Sequence, residues 1–170
     1  MQKYLFNTVG FPKATATLII AVGLIWFTLM QPVFGSLADR FGRRPMLLFS
    51  GIGGAIAAIP VFLLLEHTQS PWIATLLVLI PLTLHSGYSA NNALVKAELF
   101  PAHIRGLGVA LPYAIGNALI AGTVELVALS LKDAGVEWLF YPYVAFWLGM
   151  IGVAAYLLPE TRLDSQIRDD

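Results

Sequence analysis

Five long apolar runs dominate the chain, at residues 14–34, 46–65, 71–93, 106–131 and 138–158, and nearly all of its charged residues fall between them. A helix needs roughly 20 mostly apolar residues to cross the hydrocarbon core of a bilayer, and each run is of that length. Strands of a membrane barrel would alternate apolar and polar positions over about ten residues. A segment such as LLFSGIGGAIAAIPVFLLL does not alternate, so the pattern predicts helices. The short connections between runs force neighbouring helices antiparallel. The expected fold is therefore an all-α membrane protein of about five transmembrane helices.

Composition strengthens that reading. Of 170 residues, 58% are hydrophobic and 12% charged, against roughly 25% charged residues in ordinary soluble domains. The formal net charge is zero and Lys and Arg are confined largely to connections, which leaves no nucleic-acid footprint. The absence of cysteine excludes disulfides and thiolate metal sites. No basic leader with a short apolar core and small-residue cleavage site opens the chain, so the first run is expected to direct insertion. The segment QKYLF ahead of it reads as the end of a preceding helix.

Charge also predicts orientation, because short cytoplasmic loops carry the excess of Lys and Arg. Arg40, Arg43, Arg44, Lys96, Arg105, Arg162 and Arg168 fall on one side of the runs, and Lys3, Lys13 and Lys132 on the other. The first side is expected to be cytoplasmic, with Met1 outside and Asp170 inside.

Three of the connections carry motifs. GSLADRFGRRP (Gly35 to Pro45) is expected to form the turn between the first two runs. Gly35 and Gly42 permit tight backbone, Asp39 can face the positive end of a neighbouring helix, and Arg40, Arg43 and Arg44 offer exchangeable ion pairs. A second turn reads KAELFPAHIRGLG, in which Glu98 and Arg105 bracket Pro101, and PETR (Pro159 to Arg162) follows the last run. These motifs resemble the inter-helix motifs of the major facilitator superfamily. In their order, from MQKYLFNT through LVKAELFP to GVALPYAIGNALIAGTVELVALSLK, they resemble the metabolite:proton symporters, and among these most of all the alpha-ketoglutarate permeases. The resemblance implies spans eight to twelve of a twelve-span fold, most of its C-terminal six-helix half. It also implies a cytoplasmic network in which Gly35, Asp39, Arg40, Gly42, Arg43, Arg44, Glu98, Arg105, Glu160 and Arg162 govern conformational change. The alternative is a set of solvated pairs worth about 0 to 1 kcal/mol each.

Within the runs, ionisable residues are costly and so become functional candidates. Glu125 lies about 9 Å from the outer end of the fourth run at 1.5 Å per residue. It is either a proton-linked or gating carboxylate or an interfacial one satisfied by water or a neighbouring helix. His85 sits near the middle of the third run, either as a proton-handling imidazole or as a neutral, hydrogen-bonded one. Tyr88 and Asn92 share its helical face. Tyr113, Asn117 and Glu125 share a sector of the fourth run if the helix is unbroken, which Pro112 and Gly116 complicate. With Gln31 near the inner end of the first run, these residues form the candidate substrate or proton pathway. Gly51, Gly53 and Gly54 are expected to permit close helix contact.

No nucleotide-binding, paired-histidine or nucleophile motif is present, so neither an ATPase nor another enzyme is expected, and no cofactor or metal beyond the proton gradient. The resemblance implies proton-coupled uptake of a small organic anion such as alpha-ketoglutarate across the bacterial cytoplasmic (inner) membrane. The partners expected are the lipid bilayer, protons, the anion and a missing N-terminal transporter half. Citrate, shikimate or proline/betaine transport is the alternative, as is a non-transporting truncated membrane subunit.

Overall fold

The computed structural model describes residues 1–158. A short helix α1 (Gln2–Asn7) leads into α2 (Lys13–Phe41), α3 (Arg43–Glu66) and α4 (Pro71–Glu98). Helix α5 (Ala102–Gly116) passes through a π-helical turn (Asn117–Ala121) into α6 (Gly122–Asp133). A 3₁₀ turn (Glu137–Leu139) then precedes α7 (Phe140–Leu157). There are no strands among the described residues. Among the described residues, five helical stretches are long and apolar enough to cross a membrane: α2, α3, α4, the combined stretch His103–Asp133, and Glu137–Leu157. At 1.5 Å per residue the 29 residues of α2 extend roughly 44 Å, ample for a hydrocarbon core of about 30 Å. The chain is a multi-pass integral membrane protein.

The helices overrun their apolar runs at the end that carries the arginines. Residues Gly35–Phe41, expected in a turn, continue α2, and the whole connection to α3 is Gly42. Its φ of +105° is a conformation that only glycine adopts without strain, and its N–H closes α2 on Ala38 O at 2.9 Å. Ala38 is buried, so packing draws the motif into the helix despite its polarity. Lys96 and Glu98 likewise belong to α4, and the following turn is confined to Leu99–Pro101.

Helix α3 is the hub, packing against both α4 and α7, while α2 lies along α4. Small residues bring the backbones together. A Cβ built on Gly51 would stand 2.6 Å from Gly152 Cα on α7, and one on Gly87 of α4 would stand 2.9 Å from Met46 O on α3. Gly53 and Gly54 face Leu84 and Leu148 at ordinary to tight contact distances. Hydroxyls within the helices are satisfied locally: Thr28, Thr75, Thr83 and Ser86 each donate to the carbonyl four residues back. Pro32, Pro60, Pro81 and Pro112 interrupt the ladders of four helices, a feature tolerated in membrane bundles.

One core cluster, built on Leu5, Phe11, Ile19, Leu65 and Val78, joins α1 to α2, α3 and α4 at the end opposite the arginines. A smaller one, Leu47, Val95 and Ala155, lies at the arginine end. The stretch His103–Asp133 stands apart, with none of its apolar window buried. Exposed apolar side chains such as Leu18, Ile25, Ile56 and Leu107 suit contact with lipid or further helices.

Replacing Gly51 by Leu is expected to separate α3 from α7. Overpacking of this kind costs about 1–3 kcal/mol or more. Thermal unfolding of the detergent-solubilised chain should shift to lower temperature, whereas Gly122→Ala, with nothing within 4 Å of the built Cβ, should leave it unchanged.

Candidate functional site

At the arginine end, the one-residue turn at Gly42 places Arg43 at the first position of α3, within reach of both α2 and α4. Its guanidinium lies 3.1 Å from Glu98 and 3.6 Å from Asp39. The two pairs differ in setting. Asp39 is 72% exposed, while the side chains of Arg43 and Glu98 are only 12% and 6% exposed. The Arg43–Glu98 pair is therefore little screened by solvent, and the second carboxylate oxygen of Glu98 is buried without a hydrogen-bond partner among the described residues. Arg44 donates to Tyr156 O of α7 at 2.6 Å and stacks on the Tyr156 ring. Arg105 donates to Ala97 O and Phe100 O at 3.0 and 3.1 Å, bracing the turn between α4 and α5. The Arg40 guanidinium lies over the Phe41 ring. Gly35 sits inside α2 with open space beside it. The structure thus brings Asp39, Arg43 and Glu98 together, and directs Arg44 and Arg105 to backbone carbonyls. Glu160 and Arg162 lie outside the described residues.

His85, Tyr88 and Asn92 divide between two cavities, although the His85 and Tyr88 rings lie with centroids 5.5 Å apart. His85 stacks on Phe27 of α2 at 5.9 Å and borders an apolar cavity of about 390 Å³ among α2, α3, α4 and α7. Tyr88 and Asn92, on the same face of α4, instead line a second cavity of about 340 Å³ with α3 and α7. Gln31 Nε2 is buried on α2 without a hydrogen-bond partner among the described residues. Tyr113 of α5 lies over the Lys96 ammonium, which ties α5 to α4. The π turn begins at Asn117 and inserts one residue's worth of rotation, about 100°, between Asn117 and Glu125. The unbroken sector expected of Tyr113, Asn117 and Glu125 is therefore interrupted. Its position, a few residues after Pro112 and next to Gly116, is where the helical ladder is already weakened. Asn117 is exposed on the outlying stretch.

Glu125 pairs with Lys3 at the opposite end, both side chains being more than half exposed. Around this pair lies a polar tie that the sequence pattern did not single out. Tyr4 hydrogen-bonds Tyr141 at 2.9 Å, and Tyr141 donates to Glu66 at 2.9 Å. Thr8 donates to Glu137, and Lys132 donates to Asn7 O at 2.7 Å. Burial, reinforced by the Tyr141 hydroxyl, pushes the Tyr4 phenol above its usual range, so it stays a neutral donor. Helix α1 is thereby fastened to α3, α6 and α7. No group of three or more His, Cys, Asp or Glu that could hold a metal ion occurs among the described residues.

The profile of the sugar (and other) transporter family matches residues 1–167. The chain belongs to this family, within the major facilitator superfamily. Its members are transporters, not enzymes. The chain is 42% identical to the alpha-ketoglutarate permease of Escherichia coli (strain K12) over 93% of its own length and 36% of the permease. It is 28% identical to the proline/betaine transporter of the same strain, over 90% of this chain and 30% of that protein. It is 31% identical to the citrate-proton symporter of Klebsiella pneumoniae, over 69% of this chain and 26% of that one. The chain thus spans about a third of the length of the first two of these relatives. No solved structure matches it.

Glu98 and Arg43 were legible as charged motif residues, but their burial was not. The polar tie at Tyr4, Tyr141 and Glu66 joins residues far apart in sequence, and only the aromatic and acidic character of the helix ends signals it.

Removing one partner of a buried ion pair leaves the other uncompensated, typically at a cost of about 3–5 kcal/mol. Arg43→Gln and Glu98→Gln should each destabilise the chain markedly, and the double variant should lose less than the sum. Asp39→Asn should have a small effect. Thermal unfolding of the four variants in one detergent checks this.

Proposed function

We propose that this chain forms part of a secondary transporter that takes up a small organic anion such as alpha-ketoglutarate, coupled to protons, across the bacterial inner membrane. Its membership of a transporter family and its five membrane-length helices support the general reading. The similarity to alpha-ketoglutarate permease is the single observation that carries the choice of substrate. The partner in this reading is an amino-terminal half that supplies the other wall of the pathway. The outlying stretch His103–Asp133, with no buried residue in its apolar window, offers a face for it.

In the proposed orientation the arginine end is cytoplasmic and the Tyr4–Tyr141 end faces outward, as the positive-inside rule requires for Arg40, Arg43, Arg44 and Arg105. The Asp39–Arg43–Glu98 contacts then act as an inner tie between α2, α3 and α4, made or broken as the pathway opens. Gly42 gives that tie its reach, and Arg40, Arg44 and Arg105 hold the adjacent helix ends. Gln31, His85, Tyr88, Asn92, Tyr113 and Asn117 are the polar groups past which substrate or protons move. Glu125, paired with Lys3, is the outward carboxylate whose protonation would release that pair.

A second reading, transport of a zwitterion such as proline or betaine, draws on the similarity to the proline/betaine transporters. The deciding experiment is uptake of labelled alpha-ketoglutarate by cells expressing the complete coding region. Accumulation that collapses on adding a protonophore, and that unlabelled proline does not inhibit, is the expected outcome. Inhibition by betaine and proline but not by dicarboxylates would transfer the assignment to the zwitterions.

Glu125→Gln should reduce the accumulation ratio, about tenfold for loss of one coupled proton at a pH gradient of one unit. Counterflow, which needs no net proton movement, should remain measurable. Unchanged accumulation would leave the Lys3 contact as a purely structural one.

A further inference from the structure

Among the described residues, three of the cavities between the helices are set apart by their charges. The one beneath α1, of about 400 Å³, is lined by Lys3 and Lys132 together with Glu125 and Glu137, so its side-chain charges balance. The apolar one beside His85 carries no charged side chain among the described residues. The third, of about 340 Å³ among α3, α4 and α7 at the arginine end, is lined by Lys96 with no described carboxylate.

Helix geometry explains the imbalance. Lys96 and Glu98 are two residues apart on α4, about 200° around the helix axis. Glu98 turns to Arg43, and the half-buried Lys96 turns to the cavity. Its ammonium lies 4.6 Å from the centroid of the Tyr113 ring. An ammonium has three donors, and a ring face does not replace an anionic acceptor. Across the cavity stands Trp147 of α7, whose indole Nε1 is buried without a hydrogen-bond partner among the described residues. A buried donor left without an acceptor is costly, and a ligand oxygen would satisfy it. The Tyr88 hydroxyl and the Asn92 amide add donors on the same face of α4, while Leu47 and Met150 contribute apolar wall. The volume falls within the range of small-molecule sites.

We propose that this cavity binds a small organic anion, its carboxylate held by Lys96 and by the Trp147 indole N–H, with Tyr88 and Asn92 as further donors. The ligand class follows from the donors. Its identification with the transported substrate rests on the reading of the chain as part of an organic-anion transporter. The site lies toward the arginine end rather than beside His85, and so gives the anion a holding position near that mouth of the pathway. It also supplies from within this chain a cation that the apolar runs themselves lack.

The test is equilibrium binding of labelled alpha-ketoglutarate to the full 170-residue chain in lipid nanodiscs. Wild type is compared with Lys96→Gln, Lys96→Arg and Trp147→Phe, each first shown to keep its circular dichroism and gel-filtration profile. Loss of a charge-assisted hydrogen bond should weaken binding about tenfold or more in Lys96→Gln, and loss of a neutral one about three- to tenfold in Trp147→Phe. Lys96→Arg, which keeps the charge, should bind within about threefold of wild type by the same reasoning. Lys96→Gln binding like wild type would overturn the proposal, as would a wild-type chain that binds no alpha-ketoglutarate. The two readings fail separately. Uptake by the complete protein with no effect of Lys96→Gln on binding removes this site alone, whereas Lys96-dependent binding without any uptake removes the transport reading alone.

Discussion

Lipid gives apolar side chains no reason to hide from it, so a bundle within it must be held by something other than burial. In this chain the holding contact is the near meeting of α3 and α7 backbones at Gly51 and Gly152. Dispersion between closely approaching backbones acts there without any solvent-exclusion term. Because α3 also receives α4 at Gly87, the hub helix has neighbours seated on two sides. The outer helices can then leave large apolar side chains exposed without loss, as α2 does with Leu18 and Ile25.

What close packing does in the middle, polar contacts do at the ends. Arg43, buried with Glu98, joins the α2–α3 turn to the end of α4, and Arg44 reaches α7. At the other end Tyr4, Tyr141 and Glu66 form a hydrogen-bonded chain that binds α1 across α3 and α7. The exposed members, Asp39 and the Lys3–Glu125 pair, contribute little to stability and can exchange partners readily. A firm centre with exchangeable fastenings at both ends suits a member of a transporter family.

The five spans were legible because a run of about twenty apolar residues has few alternatives to a membrane helix. Their ends were not. Residues such as Asp39 and Lys96 read as loop by polarity, yet they belong to helices because the charged groups can reach beyond the apolar layer while the backbone stays hydrogen-bonded. Candidate residues showed the same division. The motif arginines were visible in the sequence, but spacing alone could not say that Arg43 turns to a buried Glu98 while Arg44 and Arg105 turn to carbonyls. Nor could it reveal that the Trp147 indole nitrogen is buried without a hydrogen-bond partner among the described residues, or that Tyr141 meets the distant Tyr4 and Glu66.

The π turn at Asn117–Ala121 has a consequence of a different kind. A helix that takes up one extra residue without lengthening its path keeps two independent reading frames, one on each side of the wide turn. Loss of a single residue there would leave the number of spans, the topology and every connection intact. It would nevertheless turn the face of α6 by about a quarter-turn or more against α5. A change in residue count alone can in that way exchange the side chains that α6 offers to its surroundings, with no substitution at any position.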